Sequence, residues 1–298
     1  MLQNILDLIV IKWLYKKSLT NNKKYKQLAV YTNDFIGPVI CTDGYHERMY
    51  IEALKIFLKL LNVEPSVFID CGANIGNHSI YLGLDFNKVV CVEPNPHLFS
   101  LLKINCPEKK FSLINKALSN KAGKAQLEIF QSNLGGGAIR DNIDQSRFNV
   151  IDIEKCKLDD ILDSELHKCT LLKIDVEGHE LQVLQGASTV LNNMPIIVFE
   201  QNSWDTIGAD DTAAGFLQKL GYKFIPLKKN DPIEPETHLK KIYLYAHAIL
   251  FGYRMKFKLL NYIPPDENFA CIVAYHPQKY PISDDFLSKF RDNLSNLR

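Results

Sequence analysis

Nowhere does this 298-residue chain run to the ~20 consecutive apolar residues that a membrane-spanning helix requires. Its N-terminus, MLQNILDLIVIKWLYKK, has no basic residue ahead of the apolar part and no small-residue cleavage site, which argues against a signal peptide. The seven cysteines form no C-x-x-C pair and no short regular spacing. Neither a disulfide framework nor a zinc site is therefore expected, and reduced thiols point to a cytoplasmic setting. Net charge is only +1, so no global field draws nucleic acid or an anionic surface, and any such role needs a local patch. Internal repeats and low-complexity segments are also missing. Glycine clusters only at Gly135–Gly137, read as a mobile loop near a ligand. What is present is a chain 46% hydrophobic, long enough to bury a full core in one large α/β domain or two small ones.

Strand and helix signals alternate through the middle. MYIEALKIFLKLL (49–61) carries apolar residues at helical spacing, whereas VFID (67–70) and KVVCVE (88–93) are short, β-branched and apolar, as in strands buried on both faces. Ser79 to Gly83 belongs to the helix between them. FSLINKAL (111–118), AQLEIF (125–130), TLLKIDV (170–176) and PIIVFE (195–200) extend the strand series. HELQVLQGASTVL (179–191) and TAAGFLQKLG (212–221) supply helices, the second closed by Gly221. KFIPL (223–227) and FACIVAYH (269–276) read as late strands and DDFLSKFRDNLSNL (284–297) as a final helix. This alternation predicts an α/β fold, a mostly parallel sheet with helices on both faces. The expected division is a helical N-terminal extension over 1–65, a ligand-binding core over 66–227, and a C-terminal addition over 228–298 packed on the same domain as a substrate or lid region.

The stretch VFIDCGANIGNHS (67–79) joins an apolar strand to a turn with glycines at 72 and 76. A dinucleotide site would show G-x-G-x-x-G, whose second glycine lets the backbone approach a pyrophosphate. Here Asn74 stands in that place and Asn77 in that of the third glycine, giving G-x-x-x-G. No Gly-Lys-Ser/Thr follows, which excludes a P-loop. A nucleoside without phosphates suits such a turn, and S-adenosylmethionine is one. Asp70 can meet its cationic amino and sulfonium groups, the turn amides can meet its carboxylate, and Gly72 is expected to leave room for its methionine end. Glu93 ends the next strand, 23 residues after Asp70, and can accept from both ribose hydroxyls. The plainer alternative has Asp70 capping a helix and Glu93 in solvent.

VFIDCGANIGNHS, VEPNPHLFSLLKIN (92–105), INKALSNKAG (114–123), KLDDIL (157–162), LLKIDVEGHELQVLQGA (171–187) and PIIVFEQN (195–202) together resemble the successive motifs of the FkbM-type S-adenosylmethionine-dependent methyltransferases. The resemblance covers about residues 44 to 227, and KIDVEG followed by EL-x-VL-x-GA is its most specific part. It implies a Rossmann-like class I methyltransferase fold and methyl transfer to a hydroxyl of a sugar, glycan, glycolipid or polyketide-like product. It also implies cofactor contacts from Gly72, Ala73, Asn74, Gly76 and Asn77, from Glu93 and Pro94, from Ala117 and Ser119, and from Glu47 in GYHE (44–47). Residues 228–298 match none of these motifs, so acceptor choice is expected there.

An alcohol oxygen is a weak nucleophile and needs a base as the new bond forms. Asp175 stands at the carboxyl end of its strand, Glu177 at the following turn and Glu200 at the end of the neighbouring strand. Three carboxylates at one crevice should raise at least one pKa toward neutrality, with Lys173, two residues before Asp175, pairing with one of them. The alternative for Asp175 and Glu177 is helix capping. Asp175-Val-Glu177-Gly-His179 could hold an ion, but no further His or Cys stands near in sequence, and no metal is expected. His78 either faces the acceptor or is a satisfied helix residue.

Residues 239–262 interleave five basic and six aromatic side chains with no acid. They read as an amphipathic helix over the core or as a lid for a glycolipid or anionic glycan. Ile5–Tyr15, with Lys16, Lys17, Lys23, Lys24 and Lys26 behind it, resembles an interfacial helix with a basic tail. Peripheral contact with the inner membrane face, oligomer packing and simple covering of the core all stay open. The leading expectation is O-methylation of a carbohydrate or glycolipid acceptor, with no nucleic-acid partner. An N-methyltransferase of nucleic acid or protein is the rival, against which stand the absent Pro-Pro-aromatic motif and the lack of a dense basic stripe. A catalytically silent cofactor-binding module is the third reading, favoured if the carboxylates face away from the sulfonium.

Overall fold

The computed structural model describes residues 2–130, 133–139, 149–161, 166–201, 211–230, 256–260 and 268–297. Three helices come first, α1 (Leu2–Asn22), α2 (Ile36–Asp43) and α3 (Arg48–Leu60). Strand and helix then alternate through β1 (Val67–Cys71), α4 (Asn77–Gly83), β2 (Lys88–Val92), α5 (Pro96–Asn105) and β3 (Phe111–Ile114). Next come four strands, β4 (Ala117–Leu118), β5 (Gly123–Phe130), β6 (Asn133–Ile139) and β7 (Asn149–Cys156). β8 (Cys169–Ile174), α6 (Glu180–Gln185), α7 (Ser188–Leu191), β9 (Ile196–Gln201) and α8 (Ala213–Lys219) resume the alternation, and β10 (Lys223–Asn230), β11 (Lys256–Leu259), β12 (Phe269–Tyr275) and α9 (Asp284–Ser295) close it.

The main sheet has the order β11-β10-β12-β9-β8-β1-β2-β3. It is parallel from β9 to β3 and antiparallel from β9 outward to β11. Strands β1 and β8 are buried along their whole length, which is why they read as unbroken apolar runs. Alternate residues serve opposite faces. Phe68, Leu171 and Ile196 join one core with Leu54, Phe57, Ile80 and Phe290 from α3, α4 and α9. Ile69, Leu172 and Ile197 join the other with Val183, Val190 and Leu217 from α6, α7 and α8. Each such fully buried side chain contributes roughly 1.5–3 kcal/mol. No helix among the described residues is long and apolar enough to cross a membrane.

Several elements differ from the sequence expectation. FSLINKAL is two strands, because Asn115 leaves the ladder and donates its side-chain amide to the Glu93 and Pro94 carbonyls at 2.8 and 3.1 Å. The chain then enters a second sheet, ordered β4-β7-β5-β6. Gly135–Gly137 is not a loop but the middle of β6, paired antiparallel with β5. The helix over 179–191 breaks at Gly186, where a Cβ would meet the Ser119 carbonyl oxygen at 2.2 Å. Within 239–262, Lys256–Leu259 is a strand paired with β10 and not part of a helix; its Lys-Phe-Lys-Leu alternation has period 2. Residues 239–255, and with them the rest of that expectation, lie outside the described residues. β10 runs through positions 227 and 228, and β12 lies between β9 and β10.

Candidate functional site

The carboxyl ends of β1, β2, β8 and β9 open into a cleft of about 260 Å³, the place where open parallel sheets take ligands. The turn after β1 forms its floor. Gly72 (φ +79°) lies so close to the end of β8 that a Cβ would stand 1.8 Å from the Asp175 carbonyl oxygen. Backbone, not ligand, thus demands glycine there, which corrects the reading that its side is kept open for the methionine end. Gly72 and Ala73 both donate their N–H groups to the Val92 carbonyl at 3.0 Å, locking the turn to β2.

Asn74 (φ +53°) donates its N–H to Glu93 Oε2, and Asn95 donates its own to Oε1, both at 2.8 Å. Glu93 is therefore an almost fully buried carboxylate gripped by two amides at the cleft wall beside Pro94, not a solvent residue. Burial pushes its pKa up to about 7, with Asp70 and Asp175 adding to the rise and the two amides opposing it. Asn77 also lines the cleft and holds the preceding segment. Its Oδ1 accepts from the His46 N–H and its Nδ2 donates to the His46 carbonyl, each at 3.0 Å.

Three expected contacts lie elsewhere. Asp70 is wholly buried beneath the turn, outside the cleft lining. The β1–β8 register sets it opposite Lys173, whose Nζ stands 3.4 Å from Asp70 Oδ1, while Ser79 donates to Oδ2 at 2.6 Å. It thus anchors a lysine. Gly76 (φ +91°) faces away from the cleft, where its lack of a side chain makes room for Cys106 Sγ, 2.8 Å from a built Cβ. Ser119 is buried behind Ala117 and Leu118, which do line the cleft, and its hydroxyl lies 3.0 Å from His179 Nε2.

The structure brings Asp175, Glu177 and Glu200 together with Glu47 around one opening. Lys173 binds the group, with Nζ 3.0 Å from Asp175 Oδ2. Burial works against its charge, but Asp175, Asp70 and Glu47 outweigh it and hold the pKa above the usual lysine value. Glu200 is pushed up to about 8 by burial and then by Asp175, Glu177 and Glu47. Glu177 (φ +54°) is pushed to about 7 by burial and by Asp175; it is exposed at the mouth, so water weakens this effect relative to Glu200. Glu47 goes the other way: burial alone would raise it, but His78, 3.2 Å away, brings it down to about 2. His78 is thus paired and also lines the cleft. Among the described residues no three His, Cys, Asp or Glu side chains gather in a way that could hold a metal ion.

Sequence reasoning misses Glu180, buried with its pKa pushed up to about 7 by burial, and accepting from the Gly178 and Val176 amides at 3.0 and 3.3 Å. Its signal was present: an acid in the first helical turn. Also missed are Phe35 and His46, whose rings meet edge-on at 6.1 Å at the rim; Gly135–Gly137 does line the cleft, as expected of a segment near a ligand, but as strand β6 and not as a loop. Leu134 of that strand accepts from Asn95 Nδ2 at 3.3 Å and donates to Asp34 Oδ1 at 3.1 Å, which holds Gly135–Gly137 across the cleft from the turn. The cleft offers its carboxylates to a cation, Glu93 to hydroxyls, and the apolar side chains of Leu118 and Leu127 to a flat ring.

Residues 70–224 match the methyltransferase FkbM domain model. The chain is 29% identical to the hexuronic acid methyltransferase AglP of Haloferax volcanii over 192 residues, covering 58% of this chain and 78% of that protein. It is 28% identical to the methyltransferase sdnD of Sordaria araneosa over 227 residues, covering 60% and 85%. Among solved structures, methyltransferase FkbM from Methylobacillus flagellatus KT matches at TM-score 0.35 and 18% identity, covering 72% of this chain and 44% of that one. SMU.1697c from Streptococcus mutans, a putative methyltransferase solved in complex with SAH, matches at TM-score 0.37 and 11% identity, covering 76% and 97%.

Proposed function

The chain belongs to the FkbM methyltransferase family, and on that premise we propose that it is an S-adenosylmethionine-dependent O-methyltransferase acting on a hydroxyl of a sugar, glycan or glycoconjugate. The observation that carries the reading is the ring of Glu47, Asp175, Glu177 and Glu200 around one cleft beside an amide-gripped Glu93. When bound, the cofactor supplies an electrophilic methyl group whose sulfur keeps the electron pair of the broken carbon–sulfur bond. Glu93 would accept from ribose hydroxyls on the lone pairs its two amides leave free. Ala73, Asn74, Asn77, Pro94 and Ala117 would complete the nucleoside wall, and the carboxylates would offset the positive charge.

Asp175, Glu177 and Glu200 are the candidates to take the proton from the acceptor hydroxyl. A base near neutrality is both free to accept a proton and strong enough to hold it, and Glu177 and Glu200 sit in that range. Acceptor choice would reside in residues 228–298 and in the rim that Phe35 and His46 lend from the N-terminal extension. The Haloferax relative, a hexuronic acid methyltransferase, favours a uronic acid among the sugars to try first. The test is transfer of labelled methyl from S-adenosylmethionine to a panel of uronosides and glycans, with the product mapped by mass spectrometry. Asp175→Asn, Glu177→Gln or Glu200→Gln should lower turnover by about 10²–10⁴-fold for whichever is the base, with much smaller change in cofactor affinity. Label arriving on an amine, or three variants at full rate, would overturn the reading.

A further inference from the structure

Helix α1 leaves Leu8, Ile9, Val10, Ile11, Trp13 and Tyr15 45% or more exposed, with Leu19 beyond them. Successive residues advance around a helix, so the run Leu8–Ile11 shows apolar side chains on every side. A stretch of helix apolar on every side is stable only when something covers it. The helix is fixed at its far end, where Asn21 Nδ2 donates to the Thr42 and Cys41 carbonyls of α2 at 2.9 and 3.3 Å, while the stretch from Leu8 to Tyr15 stands out. Lysines share its outward surface: Lys12, Lys16 and Lys17 are exposed between the apolar residues. Residues 1–26 hold six lysines against the single acid Asp7, in a chain whose total charge is only +1.

We propose that α1 docks this protein on an anionic membrane surface, lying in the headgroup layer without crossing it. The charge pattern selects this occupant. A second copy of the helix would set lysines against lysines, whereas anionic lipid headgroups complement them. Long lysine stems can follow the apolar surface downward and leave their ammonium groups among phosphates. Trp13 and Tyr15 are the residue types that prefer that depth, and no described helix has the length and apolarity to span.

The experiment floats the full chain on phosphatidylcholine vesicles with and without phosphatidylglycerol, at low and high salt, with light scattering of the lipid-free protein alongside. Binding is expected only to the anionic vesicles and should weaken with salt. Lys16→Ser with Lys17→Ser should weaken it roughly 30-fold, at about 1 kcal/mol per lysine. Ile9→Ser with Trp13→Ser should abolish it while far-ultraviolet circular dichroism stays native, because both side chains are exposed in the free protein. Equal binding to neutral vesicles, indifference to the lysine variant, or no vesicle binding together with an α1-dependent dimer each overturns the proposal.

Discussion

Three non-glycine residues lining the cleft hold left-handed backbone: Glu47 (φ +53°), Asn74 (φ +53°) and Glu177 (φ +54°). Asparagine tolerates this region, but for glutamate it is strain of the kind that persists only where surroundings over-determine it. Both Glu177→Gly and Glu177→Gln remove the carboxylate, but only glycine relieves the backbone, so Glu177→Gly should be the more stable of the two by roughly 1 kcal/mol, and both should lower turnover if Glu177 is the base. Urea unfolding and methyl transfer measured on the same preparations check this; a glycine variant that unfolds earlier refutes the strain argument. At this scale the carboxylates were readable because a strand's end can be located from its apolar run, which puts Glu93, Asp175 and Glu200 at the rim. Asp70 was misread because its surroundings depend on register: only the β1–β8 pairing reveals that Lys173 takes it. Ser119 and Gly76 failed for the same reason, since facing within a turn is a matter of packing.

The five parallel strands were legible as elements because each is an apolar run between turn residues. Of the second sheet only β5, as AQLEIF, and the end of FSLINKAL were; β6 and β7 were not. Its strand β6 is built on Leu-Gly-Gly-Gly-Ala, and glycine carries no β signal; it is held by antiparallel pairing with β5 and by Asp34 and Asn95 gripping Leu134. Two glycines on facing elements separate fold from ligand. A Cβ at Gly72 meets a backbone oxygen at 1.8 Å, whereas one at Gly135 meets the side-chain tip Asn74 Nδ2 at 2.2 Å, which can swing away. Gly72→Ala should accordingly cost the fold about 3 kcal/mol or more. Gly135→Ala should cost less than about 1 kcal/mol but weaken cofactor binding about tenfold by moving the Asn74 side chain into the cleft. Thermal unfolding paired with titration calorimetry decides; equal stability losses at the two positions contradict the assignment of which contact is rigid.

Across the whole molecule, the cleft carboxylates, with the buried Glu180, make stability and ligand affinity depend on pH in opposite senses. Glu93, Glu177 and Glu180 have pKa values raised to about 7 and Glu200 to about 8. Each binds its proton more tightly in the folded chain than in the unfolded one, where 4.5 is the ordinary value. Their contribution is therefore intact below pH 4.5 and is lost as pH rises through 7 and 8. Glu47, lowered to about 2, acts oppositely: its contribution is present above pH 4.5 and disappears as pH falls toward 2. Ligand-free protein should consequently lose stability between about pH 5 and 8.5, the window in which many proteins hold theirs. A sulfonium in the cleft reverses the balance, because it favours the ionised carboxylates. S-adenosylmethionine should then bind more tightly as pH rises across the same window, whereas S-adenosylhomocysteine, lacking the sulfonium charge, should change less. Binding of the first should also release protons, seen as a calorimetric heat that varies with the ionisation enthalpy of the buffer. Identical pH dependence for the two ligands would mean that Glu177 and Glu200 do not face the sulfur, and the assignment of the base would have to move elsewhere along the rim.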